Sequence, residues 1–120
     1  MECVFCNHSD LKLENKLAFA IFDANPVTNG HMLIVIKRHL PFFFNASKEE
    51  KDALFELLDT CRMHLTQNYH PDGFNIGINI GESAGQTIMH MHIHLIPRYK
   101  GDIENPRGGV RGVIPEKRIY

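Results

Sequence analysis

The sequence predicts an α+β fold, in which several strands and one long helix share a single domain. Four stretches have the apolar pattern of strands, at residues 17–22, 31–36, 74–80 and 89–95. Residues 47–69 instead repeat their apolar side chains at helical spacing. The chain has 120 residues and no stretch with the composition of a linker, so we expect one domain with a modest core.

Composition indicates a globular protein of the cytoplasm. Hydrophobic residues make up 43% of the chain and charged residues 22%, as in soluble domains. The net charge is −1 with neutral histidines, so bulk charge gives no reason to expect nucleic acid as the primary partner. No apolar run has membrane-spanning length and the first residues lack the pattern of a signal peptide, so we expect no membrane association. Three cysteines without an export signal favour a reducing compartment over a disulfide framework.

The first two strands are predicted to form a β-hairpin. Residues 17–22 and 31–36 are both apolar, and the segment 23–30 between them reads Asp-Ala-Asn-Pro-Val-Thr-Asn-Gly, which is rich in turn formers. His31 begins the second strand beside Gly30. A histidine at this position is equally compatible with an ordinary turn edge and with a functional site.

One long helix is predicted over residues 47–69. Ser47 and Glu50 form a capping box, in which the serine hydroxyl accepts from the Glu50 amide and the Glu50 side chain reaches back. One apolar face follows, made by Leu54, Leu57, Leu58, Cys61 and Leu65. At about 1.5 Å per residue the helix is about 33 Å long, enough to lie across a small sheet. Cys61 on this face is predicted to be a core residue rather than a reactive thiol.

The third strand is predicted to have one core face and one polar face. Phe74 and Ile76 share the parity of the core face, whereas Asn79 has the other parity and can face a ligand. The loop at residues 81–87 reads Gly-Glu-Ser-Ala-Gly-Gln-Thr, a composition that can bring backbone amides and a hydroxyl close to an anion. Ordinary hairpin loops have similar compositions, so the loop alone does not identify a site.

The fourth predicted strand carries three histidines. Residues 89–95 read Met-His-Met-His-Ile-His-Leu, so thioether and aliphatic side chains alternate strictly with imidazoles. On a strand, His90, His92 and His94 would share one face at spacings of about 6.6 Å. Three imidazoles on one strand face favour metal binding or catalysis over a plain polar surface.

The two ends of the chain each allow more than one interpretation. Cys3 and Cys6 are compatible with coincidence, with a redox dithiol or with half of a zinc site, which would need two further ligands. Residues 98–120 are rich in arginine, lysine, glycine and proline, so regular structure is not expected through most of this segment. It is either a solvated tail or an arm that packs on the body or a partner and offers arginines to phosphates.

These motifs together resemble the histidine-triad (HIT) family of nucleotide hydrolases and transferases. The family pattern His-φ-His-φ-His-φ-φ, in which φ is apolar, is complete at residues 90–96. Residues 23–31 are similar to the family's nucleotide-binding turn ending in Gly-His, and residues 36–39 to its Pro-Lys-x-His segment, with Ile36 where proline is usual. Asn79 and the Gly-Gln-Thr at 85–87 resemble the strand and loop before the triad.

The resemblance runs from about Cys3 to Arg98 and implies a complete architecture. It implies an HIT-like fold, with an antiparallel sheet of about five strands and one long helix packed on one face. The HIT domain would occupy residues 1–98, and residues 99–120 would form a basic tail that belongs to the same domain or acts as an arm. Family members usually form homodimers by joining their sheets edge to edge, so a homodimer is expected.

The resemblance also implies a catalytic mechanism. His92, the middle histidine, would attack the α-phosphorus of a nucleotide, and water would release a nucleoside monophosphate from the nucleotidyl-histidine intermediate. His94 would donate to a non-bridging oxygen, and His31 would support the site. The other implied contacts are Thr87 and Gln86 near the phosphate or leaving group, Asp23 at the ribose hydroxyls, Asn79 beside the α-phosphate, and Phe5 and Ile21 at the base.

A structural zinc ion is implied by the zinc-containing branch of the family, which includes Hint-like and diadenosine-tetraphosphate-hydrolase-like members. The four ligand positions of that branch correspond to Cys3, Cys6, His39 and His90. Four protein ligands leave no open coordination position, so the expected single zinc ion per chain would stabilise the fold rather than react.

The substrate class is only partly restricted by the sequence. Transferase relatives carry glutamine where this chain has His94, so hydrolysis is expected. Dinucleoside polyphosphates, such as diadenosine tetraphosphate, and nucleoside phosphoramidates both remain, and the basic tail slightly favours the polyphosphates.

One alternative is a slow or non-catalytic nucleotide-binding sensor with the same fold. The other is a metallohydrolase with a zinc ion held by all three triad histidines. The outer two would lie about 13 Å apart on a straight strand, too far for ligands of one ion.

Overall fold

The computed structural model describes residues 3–6 and 13–120 and confirms the α+β fold. The strands are β1 (Leu13–Glu14), β2 (Ala18–Phe22), β3 (Met32–Ile36), β4 (Gly73–Gly77) and β5 (His92–Arg98), and the helix α1 spans Lys48–Tyr69. The strands form one antiparallel sheet in the order β1-β2-β3-β5-β4. Within the described ranges, no helix is long and apolar enough to span a membrane.

Helix α1 begins and ends as its sequence predicts. Ser47 is the N-cap: its hydroxyl accepts from the Glu50 amide at 3.1 Å, and the Glu50 carboxylate accepts from the Ser47 amide at 2.9 Å. Leu54, Leu57, Cys61 and Leu65 are buried against the sheet. Burial raises the pKa of the Cys61 thiol to about 12, so this cysteine stays protonated in the core.

The histidine strand starts three residues later than predicted. β5 begins at His92, whereas Met89 is 43% exposed and precedes the sheet. The Met91 amide donates instead to the Leu40 carbonyl at 2.7 Å, which places this part of the chain beside the segment after β3. Met91 nevertheless packs in the core with Ile93 and Leu95. His90 therefore lies outside the strand that carries His92 and His94.

The strand before the loop is shorter than predicted. β4 ends at Gly77, so Asn79 lies in the following loop. Phe74 packs against the core as expected, but Ile76 is 49% exposed. The prediction that Ile76 is a core residue is wrong because β4 is the edge of the sheet, where Ile76 borders an open groove beside α1.

The two faces of the sheet have different roles. α1 covers one face, and the other carries a smaller apolar cluster made by Phe5, Phe19, Ile21, Leu33 and Val35. His92 is paired with Val35 and His94 with Leu33. Because paired residues of neighbouring strands point to the same face, both histidines lie on the side away from the helix.

Residues 99–120, here called the C-terminal arm, pack on the body rather than forming a solvated tail. The arm contains two short 3₁₀ turns, Gly109–Val113 and Pro115–Lys117, the first of which contacts β4. Its arginines are used for internal contacts: Arg111 donates to the Lys117 carbonyl, and Arg118 donates to backbone carbonyls at positions 105 and 107. The arm is therefore held by side chain to backbone hydrogen bonds.

A buried carboxylate joins the start of α1 to the end of β3. Glu50 is 6% exposed and accepts from the Arg38 guanidinium at 3.0 and 2.9 Å. These hydrogen bonds, together with that from the Ser47 amide, lower the pKa of Glu50 to about 2. The contact fixes the chain immediately before His39.

Replacing Glu50 by glutamine should lower the free energy of unfolding by about 1–2 kcal/mol at pH 7, because the charge-assisted hydrogen bonds are lost. The pKa of the folded state lies below the ordinary glutamate value, so the stabilisation is complete above about pH 4.5 and disappears as the pH falls towards 2. Urea unfolding of both proteins at several pH values measures this difference. Glu49→Gln, an exposed neighbour, is the control, and an equal loss in both variants would contradict the assignment to Arg38.

Candidate functional site

A cleft with two connected compartments lies on the sheet face away from α1. The histidine compartment has a volume of about 260 Å³, and its lining includes Asp23, Asn79, Gly85, Thr87, His92 and His94. The arm compartment has a volume of about 440 Å³ and extends to β4 and the C-terminal arm. The two compartments share Asp23, Asn25, Asn79 and His94.

His92 is oriented by a backbone carbonyl. Its Nδ1 lies 2.9 Å from the carbonyl oxygen of His90, and since a carbonyl can only accept, Nδ1 carries the proton and donates. In the neutral ring the lone pair then lies on Nε2. The ring is 8% exposed and packs edge-on against Phe5, with ring centroids 5.1 Å apart. The site thus holds a fixed imidazole whose Nε2 can act as a nucleophile.

A chain of hydrogen bonds sets the tautomers of His31 and His94. The Val27 amide donates to His31 Nδ1 at 3.0 Å, so the proton of the neutral His31 ring is on Nε2. This Nε2–H lies 3.0 Å from His94 Nδ1, which accepts it, and 3.5 Å from an Asp23 carboxylate oxygen. His94 consequently carries its own proton on Nε2. The ring of His94 lies 5.1 Å from that of His92, so the compartment contains a hydrogen-bond donor beside the nucleophilic nitrogen.

Burial keeps both supporting histidines neutral. Desolvation, with smaller contributions from His92 and His31, lowers the pKa of His94 to about 4. Desolvation also lowers the pKa of His31, although the Asp23 carboxylate opposes this shift. Both rings are therefore uncharged near pH 7, the state that the hydrogen-bond chain requires.

We expect nitrogen-detected NMR to find His94 in the Nε2–H tautomer, with no titration between pH 8 and about pH 5. The reason is that burial holds its pKa near 4. A His31→Ala variant would admit water and remove the donor to Nδ1, so the pKa of His94 should rise towards that of an ordinary histidine. Titration of the parent His94 near its ordinary pKa would contradict the burial argument.

The loop before the triad is braced by Gln86. This residue is buried; its Oε1 accepts from the Gly81 amide at 2.8 Å and its Nε2 donates to the Pro41 carbonyl at 2.6 Å. Both polar groups are bonded within the protein, so Gln86 holds the shape of the loop, and its contact with the phosphate or leaving group stays a prediction. Thr87 beside it is exposed and lines the histidine compartment. Gly85 adopts φ +92°, a conformation that favours glycine.

The residues expected at the nucleoside lie in different surroundings. Asp23 and Asn79 line both compartments. Phe5 and Ile21, expected at the base, are 5% and 6% exposed within the smaller apolar cluster. Leu33 of the same cluster lines the histidine compartment, whereas neither Phe5 nor Ile21 is among the described lining residues of the two compartments.

Some lining residues were not found by sequence reasoning. Asn25 and Leu33 line the histidine compartment, and Val110 and Val113 line the arm compartment. Leu33 lies two residues after His31, so the alternation of the strand could have placed its side chain on the same face as His31. The valines had no such signal, because the arm has no periodic pattern.

Cys3, Cys6, His39 and His90 come together as one cluster, and their ligand atoms all lie within 4.8 Å of one another. His90 Nδ1 is 3.3 Å from Cys3 Sγ and 3.4 Å from Cys6 Sγ, while His39 Nδ1 is 3.2 Å from Cys6 Sγ. In a tetrahedral zinc site with ordinary bond lengths, sulfur and nitrogen ligands lie about 3.5 Å apart. The opposite ring nitrogen of His90 donates to the Ile36 carbonyl at 2.6 Å, which leaves Nδ1 free to bind an ion. The donor set therefore fits zinc.

The triad histidines do not share one metal site. Asp23, His31 and His94 form a second group whose ligand atoms lie within 4.8 Å of one another. The Val27 amide keeps the His31 proton on Nε2, the atom that would have to bind an ion there. His92 belongs to neither group among the described residues. This separation opposes a catalytic zinc ion held by all three triad histidines.

Comparison with known proteins gives consistent matches. The HIT domain family matches residues 6–101. The bis(5'-adenosyl)-triphosphatase of Dictyostelium discoideum is 36% identical over 97 residues, which are 81% of this chain and 65% of that protein. The structure of a HIT family protein from Bacillus anthracis has a TM-score of 0.78 at 33% identity and covers 83% of this chain and 75% of that one. A Zn-bound histidine triad family protein from Mycobacterium smegmatis has a TM-score of 0.76 at 30% identity, over 86% and 79% of the two chains.

Proposed function

Because the chain belongs to the histidine-triad (HIT) family, we propose that it is a nucleotide hydrolase that forms a nucleotidyl intermediate on His92. It would cleave at the α-phosphate of a dinucleoside polyphosphate or a nucleoside phosphoramidate and release a nucleoside monophosphate. The observation that carries this proposal is the pair of fixed tautomers, with the lone pair of His92 on Nε2 and the proton of His94 on Nε2. The Dictyostelium relative, a bis(5'-adenosyl)-triphosphatase, supports the same class of reaction.

In the first step, the Nε2 lone pair of His92 forms a bond to the α-phosphorus. The bond from phosphorus to the leaving group breaks, and the leaving group departs with the electron pair: a phosphate chain leaves as an anion, whereas an amine takes up a proton from solvent as it leaves. The His94 Nε2–H and the Thr87 hydroxyl would donate to the non-bridging oxygens, where negative charge develops. The imidazole of His92 becomes positively charged, and the His90 carbonyl stabilises it by accepting from Nδ1.

In the second step, a water oxygen attacks the same phosphorus. The bond from phosphorus to Nε2 breaks, the electron pair returns to the ring, and the water proton is lost to solvent as the ionised monophosphate forms. A histidine suits both steps, since its imidazole is nucleophilic near neutral pH and leaves readily from phosphorus.

The nucleoside would lie over β2 and β3. Asp23 would accept from the ribose hydroxyls, and Asn79 would contact the α-phosphate. The smaller apolar cluster, which contains Phe5 and Ile21, would support the base. The position of Asp23 supports its role at the ribose. One of its carboxylate oxygens accepts from the Asn25 amide at 2.9 Å, and the residue lines both compartments.

A zinc ion would be held by Cys3, Cys6, His39 and His90, one per chain. When bound, it would tie the N-terminal segment to the end of β3 and to the residue before β5. We also propose a homodimer that joins the two sheets along the β4 edge. The three cysteines form no disulfide, which supports a location in the cytoplasm.

A substrate panel with mass analysis tests the proposal. Diadenosine tetraphosphate and an adenosine phosphoramidate are mixed with the protein, and the reactions are quenched during turnover. We expect release of the monophosphate and an adenylyl adduct that maps to His92. Binding of both compounds without turnover would instead support the nucleotide-sensor alternative, and an adduct on another residue would contradict the mechanism.

A further inference from the structure

The turn at residues 23–30, between β2 and β3, supplies the backbone amide that sets the tautomers of two site histidines. The Val27 amide donates to His31 Nδ1 at 3.0 Å, which keeps the His31 proton on Nε2, facing His94. Residues 24–27 are exposed, and the Val27 side chain is 69% exposed. Burial of this side chain therefore contributes little to the position of the amide, which depends on the contacts that hold the turn.

Thr28 ties the turn to the strand that carries the site histidines. Its hydroxyl donates to the Pro97 carbonyl near the end of β5 at 2.5 Å. The pairing of β3 with β5 ends at Met32 and Leu95, so Pro97 lies beyond the last pair of that ladder. The threonine hydroxyl continues the connection between the two segments where the backbone ladder has ended. The residue directly after the critical amide is thus held against β5.

Tyr99 makes a second connection between the same two parts of the chain. It is the first residue after β5, and its hydroxyl donates to the Asn29 carbonyl at 2.6 Å. The Tyr99 amide donates in turn to the Asp102 carboxylate at 2.9 Å, and this carboxylate also accepts from the Arg98 guanidinium at 2.8 Å. The tyrosine is therefore anchored at its backbone as well as at its hydroxyl, and the turn is held at two successive residues.

We propose that Thr28 and Tyr99 are positioning residues for the reaction, which hold the Val27 amide in place. Through His31, this amide keeps the His94 proton on Nε2, where it would meet the non-bridging oxygens of the substrate. The inference rests on the proposed function, which assigns that role to the proton. Neither positioning residue is among the described lining residues of the histidine and arm compartments, so both act through the hydrogen-bond chain.

Loosening of the turn allows the opposite pair of tautomers. His31 then carries its proton on Nδ1, its Nε2 accepts from His94 Nδ1–H, and His94 Nε2 has a lone pair in place of a proton. Water carries the protons between the ring nitrogens, so both rings stay neutral. The hydrogen bond between the rings is kept, but the donor beside the nucleophile is lost. The Asp23 carboxylate, 3.5 Å from His31 Nε2, favours the original pair, so we expect a mixture of the two.

The tautomers of the substrate-free protein test this positioning. Thr28→Val removes the hydroxyl donor and keeps the shape of the side chain, so nitrogen-detected NMR should find about one third or more of His94 as Nδ1–H. The same variant should lose about tenfold in kcat/KM for release of the monophosphate. Thr28→Ser keeps the donor and should restore both values. Tyr99→Phe removes the second donor and should change both values in the direction of Thr28→Val.

Thr60→Val is the matched control. The Thr60 hydroxyl also donates to a backbone carbonyl, that of Glu56 at 3.2 Å, but on an exposed part of α1. Lower activity in Thr28→Val with the His94 tautomer unchanged, or equal changes in Thr60→Val, overturns the positioning and leaves the hydrolase intact. If thermal melting shows that Thr28→Val does not fold, Tyr99→Phe decides by the same measurements.

The NMR measurement needs no substrate, so it separates this inference from the proposed function. If the parent protein hydrolyses neither diadenosine tetraphosphate nor the adenosine phosphoramidate, the proposed function fails. A tautomer shift in Thr28→Val that Thr28→Ser reverses still supports the control of His94 by the turn. Identical tautomers in the parent, Thr28→Val and Tyr99→Phe overturn it.

Discussion

Replacing His92 by alanine is expected to reduce turnover of adenylyl substrates by about 10⁴-fold or more, since the nucleophile of the covalent step is removed. The fold should survive, because the ring lies on the sheet face away from α1, outside the main apolar core, and its Nδ1 bond is to a neighbouring carbonyl. Steady-state release of the monophosphate measures the loss. Mass analysis of the quenched reaction should find no adduct on the variant.

The matched control is His70→Asn. His70 is an exposed histidine at the C-cap of α1 with φ 53°, a conformation that asparagine tolerates. Its replacement tests whether the loss of any histidine affects turnover. Retention of more than about one tenth of the activity in His92→Ala would contradict the covalent mechanism.

Removal of the zinc ligands is expected to have the largest effect on stability. Replacing Cys3 and Cys6 by serine should abolish the bound zinc and lower the free energy of unfolding by about 3–5 kcal/mol, or the melting temperature by about 10–20 °C. The cluster joins the N-terminal segment, the end of β3 and His90, so its loss releases three parts of the chain. Calorimetry and zinc analysis measure both quantities, and turnover of the folded variant should fall much less.

Cys61→Ala is the control for zinc content. Cys61 is buried in the core away from the cluster, so this variant should lose some stability through a cavity and still retain one zinc per chain. Full stability of the double serine variant without zinc would contradict a structural ion. Immediate loss of turnover in chelated protein that remains folded would support a catalytic ion instead.

The parts of the fold that could be predicted are those fixed by local sequence. The capping box at Ser47 and the apolar face of α1 determine the helix over its whole length, because both act within a few residues. β1 has only two residues and thus no periodicity to detect. The start of β5 depends on the bond from the Met91 amide to Leu40, a contact between distant parts of the chain.

In the candidate site, too, some features could be predicted from the sequence and others could not. The resemblance identified the residue types, and the structure brings His31, His94 and Asp23 together as well as the four candidate metal ligands. The tautomers could not be predicted, because they depend on the backbone amide of Val27 and the backbone carbonyl of His90. A backbone group has no signature in the sequence. The same holds for the arm, whose contacts join side chains to distant carbonyls.

His90 has two partners that are served by different atoms. Its imidazole faces the cysteines, while its main-chain oxygen holds the ring of His92. We therefore expect an alanine scan of the triad to overcount catalytic groups, since His90→Ala would remove a ligand of the candidate metal cluster and loosen the backbone that orients His92. Comparison with Cys3→Ser separates the loss of the cluster from the loss of the His90 ring, because that variant disturbs the cluster and keeps the ring, while both variants keep the main-chain carbonyl. His90 thus connects the cysteine cluster to the ring of His92, and a loss of activity on its replacement is not evidence that His90 itself takes part in the reaction.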